Sequence, residues 1–198
     1  MTRVYFVRHA QPEHDWEEDR TRPLTEEGKK DSAIVLEFLK DKKIDAFYCS
    51  PYKRSMDTIA EAADFFTKEI ITDERLRERE KGLDGNNHGM FRKRWADHNY
   101  HEEGGESIAM VQKRNIEALN EILSDNTDKD IVIGTHGTAL STILNFYDSN
   151  FGCEDFLRII DWMPYIIELD FEGDKLIAKQ EHCRVEKEFN GKQRVDKK

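Results

Sequence analysis

Two arginines and two histidines stand where apolar runs of this chain end. Arg8 and His9 follow residues 4–7 (VYFV); Ser50 follows AFYC, with Arg54 four residues on; His136 follows DIVIGT and precedes Gly137. A single histidine after a strand usually only marks the start of a loop. Four such groups gathered at one sheet edge point instead to a shared ligand, because open α/β sheets bind ligands beyond the carboxyl ends of their strands. Arginine forks match phosphate oxygens bidentately and stay charged at any working pH. Helix N-termini expected at Ser50 and Thr135 add backbone N–H donors and a favourable dipole. A neutral imidazole among these cations can attack phosphorus in line, giving a phosphohistidine. Neighbouring positive charge lowers its pKa and keeps the attacking nitrogen unprotonated.

The elements that must position these groups alternate along the chain. RVYFV reads as the first strand, and the stretch PLTEEGKKDSAIVLEFLKDKK as one helix with Thr25 as N-cap. AFYC is a short buried strand, after which Ser50 and Pro51 occupy the expected N-cap and first helical positions. EIIT is a third strand. Residues 73–103 are highly charged, carry glycines and lack periodicity, as expected of a long functional excursion. A helix follows GGES, with Glu106 and Ser107 expected to cap or orient it rather than meet substrate. DIVIGT is then a strand opening onto a helix, and YIIELDF and KLIAKQ form a hairpin about a glycine turn. Alternating strands and helices predict an α/β fold with a largely parallel sheet, the hairpin placing an antiparallel strand at its edge. One domain is expected over residues 1–183, with a polar C-terminal tail over 184–198.

Composition narrows the partners. Acidic residues outnumber basic ones by 41 to 31, a net charge of −10, which disfavours nucleic acid and anionic membrane. A phosphate ligand, if there is one, therefore has to be drawn in by cations concentrated in one pocket. The three cysteines form no CxxC pair, and no apolar run approaches the roughly 20 residues that span a bilayer. A soluble, cytoplasmic protein with reduced thiols is expected.

Taken in order, VRHA, SPYKRSMDT, ERLRERE, GGES and GTHG resemble the motifs of the histidine phosphatase superfamily, the phosphoglycerate mutase-like fold. The resemblance runs from about Val4 through the hairpin. It implies a three-layer α/β/α sandwich, with His9 as the nucleophile and Arg8, Arg54, His136 and Gly137 around the phosphate. It also implies Glu78 as the proton donor to the leaving group and then the base for water. Glu74 and Glu80 share the same charged run, and only the match to the family pattern selects Glu78. No metal and no organic cofactor are implied, the arginines and imidazoles supplying the charge stabilisation. Ala10 stands where the family pattern most often has glycine, adding one methyl to the turn.

The implied activity is hydrolysis of a small phosphate monoester. Two alternatives accompany it: a phosphoglycerate mutase, and a non-catalytic member that binds phosphorylated ligands. The segment PEHDWEEDRTRP is acidic and disfavours a second anionic group, although Arg20 and Arg22 keep one in play. Asn86, Asn87, His88, Arg92, Arg94 and Trp95 are expected to set specificity. His98 and His101, three residues apart beside Glu102, resemble a metal pair but lack a third ligand on a shared element.

Overall fold

A computed structural model describes residues 1–83 and 88–188. Its elements run β1 (Thr2–Arg8), α1 (Glu26–Asp31), α2 (Ala33–Leu39), β2 (Ala46–Cys49), α3 (Lys53–Phe65) and β3 (Ile70–Thr72). There follow α4 (Phe91–Ala96), α5 (Ile108–Asp125), β4 (Asp130–Thr135), α6 (Gly137–Tyr147), α7 (Cys153–Ile159), β5 (Trp162–Glu172) and β6 (Lys175–Glu186). The six strands form one sheet in the order β3-β2-β4-β1-β5-β6. β1 and β2 pair parallel to β4, and β3 parallel to β2; β5 runs antiparallel to both β1 and β6. The fold is thus the expected mostly parallel α/β sandwich with an antiparallel hairpin closing one side.

The two-residue period of the strands divides the core. Val4 and Phe6 of β1 with Ile131 and Ile133 of β4 face α5, α6 and α7. Tyr5, Val7 and Val132 point to the opposite face and pack with Val35, Leu39 and Ile59 from α2 and α3. All of these are 0–2% exposed, so each face loses nearly all its contact with water. This double burial explains why VYFV and DIVIGT read as unbroken apolar runs.

Three expectations need correction. The helix expected after Pro23 is split at Ser32, whose hydroxyl donates to the Lys29 carbonyl at 2.7 Å, a local bond that competes with the helical ladder. Thr25 does cap α1, its hydroxyl accepting from the Gly28 N–H at 2.9 Å. Ser50 is not a helix cap: α3 begins at Lys53, with Tyr52 at the cap position. The expected tail boundary after residue 183 falls inside β6. Arg184 pairs in register with Tyr165 and lies over the Trp162 ring at 4.2 Å, while Lys187 reaches Glu27 and Asp31 at 2.7 and 2.5 Å. β6 is an edge strand with mostly exposed side chains, so its last residues, 184–186, lack apolar alternation and read as tail. The rest of that segment, 189–198, lies outside the described residues. No helix among the described residues is long and apolar enough to cross a membrane.

Candidate active site

Parallel pairing sets the strand ends level with one another. Arg8 is opposite Thr135 and Cys49 opposite Gly134, so the next residues, His9, His136 and Ser50, emerge together. The His9 N–H bonds the Thr135 carbonyl at 3.2 Å and the Ser50 N–H bonds the Gly134 carbonyl at 3.1 Å, extending the ladder to the residues that matter. The His9 and His136 rings lie 5.2 Å apart between centroids. The structure therefore brings His9, Arg54 and His136 into one buried cluster, with Arg8 against Gly137 and Glu78 at the start of α6.

His9 is 5% exposed, and its Nδ1 lies 2.7 Å from the Ala10 carbonyl. A carbonyl only accepts, so Nδ1 carries the proton and Nε2 keeps its lone pair. The Arg54 Nε–H points at that Nε2 from 3.4 Å. Burial first, then the charges of Arg54 and Arg8, hold the His9 pKa well below its ordinary value, so the ring is neutral. Ala10 supplies both this carbonyl and an N–H that donates to Thr58 Oγ1 at 2.9 Å. Thr58 in turn donates to the Arg54 carbonyl at 2.7 Å, joining the turn after β1 to α3.

His136 is fully buried, with its Nε2 2.7 Å from Ser50 Oγ. The same oxygen accepts the Tyr52 N–H at 3.2 Å and still has its own proton to give, so it can donate to the imidazole. His136 Nδ1 is buried and makes no hydrogen bond to any of the described residues. Burial first, then Arg54 and His9, drive its pKa down as well. A neutral ring that accepts from Ser50 at Nε2 carries its proton on Nδ1, where a ligand can receive it.

Arg54 is 3% exposed, and Asp19 contacts it twice: the backbone carbonyl at 2.6 Å and the carboxylate at 3.3 Å. The Asp19 carboxylate also lies 3.1 Å from Arg22 and 3.7 Å from Lys81. Arg20 is paired with Glu74 at 2.5 Å. The two arginines of the acidic segment are therefore already engaged inside the protein. Asp19, Tyr52 and Lys81 also line a cavity of about 630 Å³ shared with Glu17, Arg20 and Glu80.

Arg8 sits differently from the simple expectation. Its two terminal nitrogens donate to the Ile159 and Ile160 carbonyls at 2.6 and 2.8 Å, at the end of α7. That uses two of the five guanidinium donors. Gly137 packs flat against it; a Cβ there would come within 3.1–3.3 Å of three guanidinium atoms. The α6 N-terminus, expected to face phosphate, is occupied by Glu78. Its Oε2 accepts from the Thr138 N–H at 3.0 Å, and its Oε1 from the Ala139 and Arg79 N–H groups at 3.1 and 2.7 Å. Glu78 is also close enough to Arg54 to favour the charged guanidinium.

Ser107 caps α5, accepting from the Met110 N–H at 3.2 Å, whereas Glu106 turns away to bind Arg77, Arg114 and the Glu80 N–H. Several residues assigned to specificity have structural partners. Trp95 lies in the core against Phe151 and Phe156, Arg94 pairs with buried Glu102, and Arg92 pairs with Glu154. His98 meets the edge of the Trp95 ring, and His101 Nδ1 is 3.1 Å from the Glu102 carbonyl. Asn86 and Asn87 lie outside the described residues. Sequence reasoning missed the supports: Ser50 behind His136, Thr58 behind Ala10, Asp19 behind Arg54. Thr58, one helical turn after Arg54, carried a spacing signal; Asp19 carried none.

Two buried histidines, both with depressed pKa values, thus stand at the tips of parallel strands with the Arg54 guanidinium of α3 beside them. Residues 4–176 match the model of the histidine phosphatase superfamily (branch 1), and the chain belongs to that family. It is 29% identical over 154 residues to phosphoserine phosphatase 1 of Hydrogenobacter thermophilus, covering 69% of this chain and 71% of that one. A 55-residue stretch is 44% identical to a 2,3-bisphosphoglycerate-dependent phosphoglycerate mutase of Thermoplasma acidophilum, spanning 28% of each. Among solved structures, a phosphoserine phosphatase mutant from Entamoeba histolytica in complex with phosphoserine superposes with a TM-score of 0.73 at 21% identity. That superposition covers 93% of this chain and 96% of the other.

Proposed function

We propose that this protein is a phosphatase that hydrolyses small phosphate monoesters through a phosphohistidine on His9. The observation that carries the reading is the His9 environment: Nδ1 tied to a carbonyl at 2.7 Å, and an unprotonated Nε2 facing the Arg54 guanidinium. A phosphoryl group bound by Arg54 lies in front of that lone pair. Nε2 attacks phosphorus while the bond to the leaving oxygen breaks, and Glu78 gives that oxygen its proton. The Glu78 carboxylate then takes a proton from water, the water oxygen attacks phosphorus, and the N–P bond breaks. Inorganic phosphate leaves with Glu78 protonated again.

The cations do the electrostatic work that preorganised donors do at other phosphoryl-transfer sites. Arg54 meets the phosphoryl oxygens, His136 donates through Nδ1, and Arg8 adds charge from its anchored position beside Gly137. This division of labour needs no metal or organic cofactor, and turnover is expected to persist in excess chelator. Reduced Cys49, Cys153 and Cys183 fit a cytoplasmic setting.

Phosphoserine is the natural first substrate to test, given the relatives named above. The mutase reading is favoured by the short match to a mutase, but Arg20 and Arg22 are committed to Glu74 and Asp19 and leave a second anionic group poorly served. Phosphate release should be measured from nitrophenyl phosphate and from phosphoserine, alongside bisphosphoglycerate-dependent interconversion of phosphoglycerates. Release without interconversion is expected. Interconversion faster than release would make the protein a mutase, and neither activity would leave a binding protein.

A further inference from the structure

The Glu78 carboxyl is held by α6, but nothing in the strand-end architecture holds the backbone that carries it. Residues 74–83 belong to no strand; a 3-10 turn (Glu74–Leu76) is their regular structure among the described residues. Their carbonyls converge on one side chain of α5. Arg114 Nη1 donates to the Arg75 and Arg77 carbonyls, both at 2.7 Å, and Nη2 to the Glu78 carbonyl at 3.0 Å. From the other edge of the guanidinium, Nε and Nη2 each reach a Glu106 oxygen at 2.8 Å. Glu106 also accepts the Glu80 N–H at 2.9 Å and an Arg77 Nη2–H at 2.9 Å. The pair thus touches residues 75, 77, 78 and 80, on both sides of Glu78.

We propose that Arg114, locked by Glu106, is a positioning residue that sets where the Glu78 carboxyl meets the leaving-group oxygen. The proposal rests on the reading of Glu78 as the acid. The chemistry suits an arginine: a planar fork with five donors can serve three carbonyls and a carboxylate together, which a lysine ammonium with three cannot. Arg114 and Glu106 are 11% and 14% exposed at their side chains, so the bonds are sheltered from water. Burial opposes ionisation of Glu106, but Arg114 and the Glu80 N–H outweigh it and keep the carboxyl below its usual range. Because α5 packs along α6, one helix fixes the backbone of Glu78 and the other its carboxylate. Among the described residues, Arg114 and Glu106 make no hydrogen bond or ion pair with His9, Arg54 or His136; Arg114 reaches His136 through its charge, which Arg114→Lys keeps, so a loosened clamp should spare phosphate binding.

The test compares Arg114→Lys with Glu78→Gln on an alkyl phosphate and on nitrophenyl phosphate, by single-turnover formation of phosphohistidine. A misplacement of about 1 Å at a reacting group costs on the order of 100-fold. Arg114→Lys should therefore slow the alkyl ester roughly 10- to 100-fold and the aryl ester no more than about 3-fold, with vanadate inhibition unchanged. In the double variant the alkyl loss should equal that of Glu78→Gln alone, since a missing acid cannot be misplaced. Glu106→Gln should give the same alkyl-selective loss at smaller size, and it stands in should Arg114→Lys fail to fold. Equal loss on both esters, weakened vanadate inhibition, additive losses or no loss would overturn the clamp, provided Glu78→Gln itself discriminates between them. If Glu78→Gln does not discriminate, the acid assignment falls and the clamp falls with it.

Discussion

The two halves of this site are held by different means. The proposed phosphate side, with His9, His136 and Ser50, stands on the tips of three paired strands, and its positions follow from the ladder that sets Arg8 against Thr135 and Cys49 against Gly134. The proposed acid side hangs from a segment without strand pairing and is fixed by side chains far along the sequence, Arg114 to the Glu78 carbonyl across 36 residues and Glu106 to Arg77 across 29. A sheet places backbone wherever the pattern of apolar residues directs it. A loop has no such template, so its reactive residue needs explicit partners, here the N–H groups of Thr138 and Ala139 at one end and the arginine fork at the other. Damage to the first half should thus be lost phosphate affinity and lost nucleophile; damage to the second should depend on the leaving group.

The largest effect that sharpens this contrast belongs to Arg54, which faces His9 Nε2 and, in the proposed reaction, the phosphoryl oxygens. Arg54→Ala should lower kcat/KM by about 10³-fold or more on alkyl and aryl esters alike, as removal of a transition-state arginine does elsewhere. Vanadate inhibition should weaken with it; unchanged vanadate inhibition would place Arg54 outside the pocket. Glu78→Gln comes next and should behave oppositely. Its loss in the phosphorylation step should be about 10²–10⁴-fold for an alkyl ester, which needs a proton, and far less for nitrophenolate, which leaves without one. The second half-reaction should slow with both, so intermediate should accumulate with the aryl ester in a rapid-quench experiment. Equal losses on both esters would erase the contrast between the halves.

Smaller effects test the strand-tip half alone. Gly137→Ala puts a methyl 3.1–3.3 Å from the Arg8 guanidinium, which the Ile159 and Ile160 carbonyls hold in place. A loss in kcat/KM on the order of 10-fold, equal for both esters, is expected as the guanidinium shifts. A loss confined to alkyl esters would mean that the added methyl disturbs Glu78 on α6 instead.

Stability should carry the smallest signature. His9 and His136 both have depressed pKa values, chiefly through burial. Below about pH 6.5 the unfolded chain takes up protons that these rings refuse. Their contribution is therefore complete above that pH and is lost as pH falls, by up to about 1.4 kcal/mol per pH unit for each ring. Urea unfolding at pH 7.5 and 5.5 should show wild type losing more stability than His136→Asn; identical slopes would mean His136 titrates normally.

What could be read in advance follows the same division. The strand tips were legible because VYFV, AFYC and DIVIGT are buried on both faces and therefore visibly apolar, and the candidate site residues follow them directly. Ser50 was legible as a polar residue at a strand end but not as the partner of His136, because local spacing fits a helix cap equally well. Arg94 and Trp95 looked like specificity residues in a charged stretch, yet their partners, Glu102, Phe151 and Phe156, include residues some 60 positions away. The Arg114 clamp was invisible for the same reason. A lone arginine on a helix face gives no hint that three carbonyls 36 to 39 residues upstream converge on it.

The central claim is that His9 Nε2 is the atom that receives phosphorus. It is tested most directly by quenching turnover of a labelled phosphate ester and mapping the label by mass spectrometry under alkaline conditions. One phosphoryl group, stable in base and labile in acid, should be found on His9 and be absent, together with activity, from His9→Ala. A label on His136, a serine or a cysteine, or full activity in His9→Ala, would contradict the account.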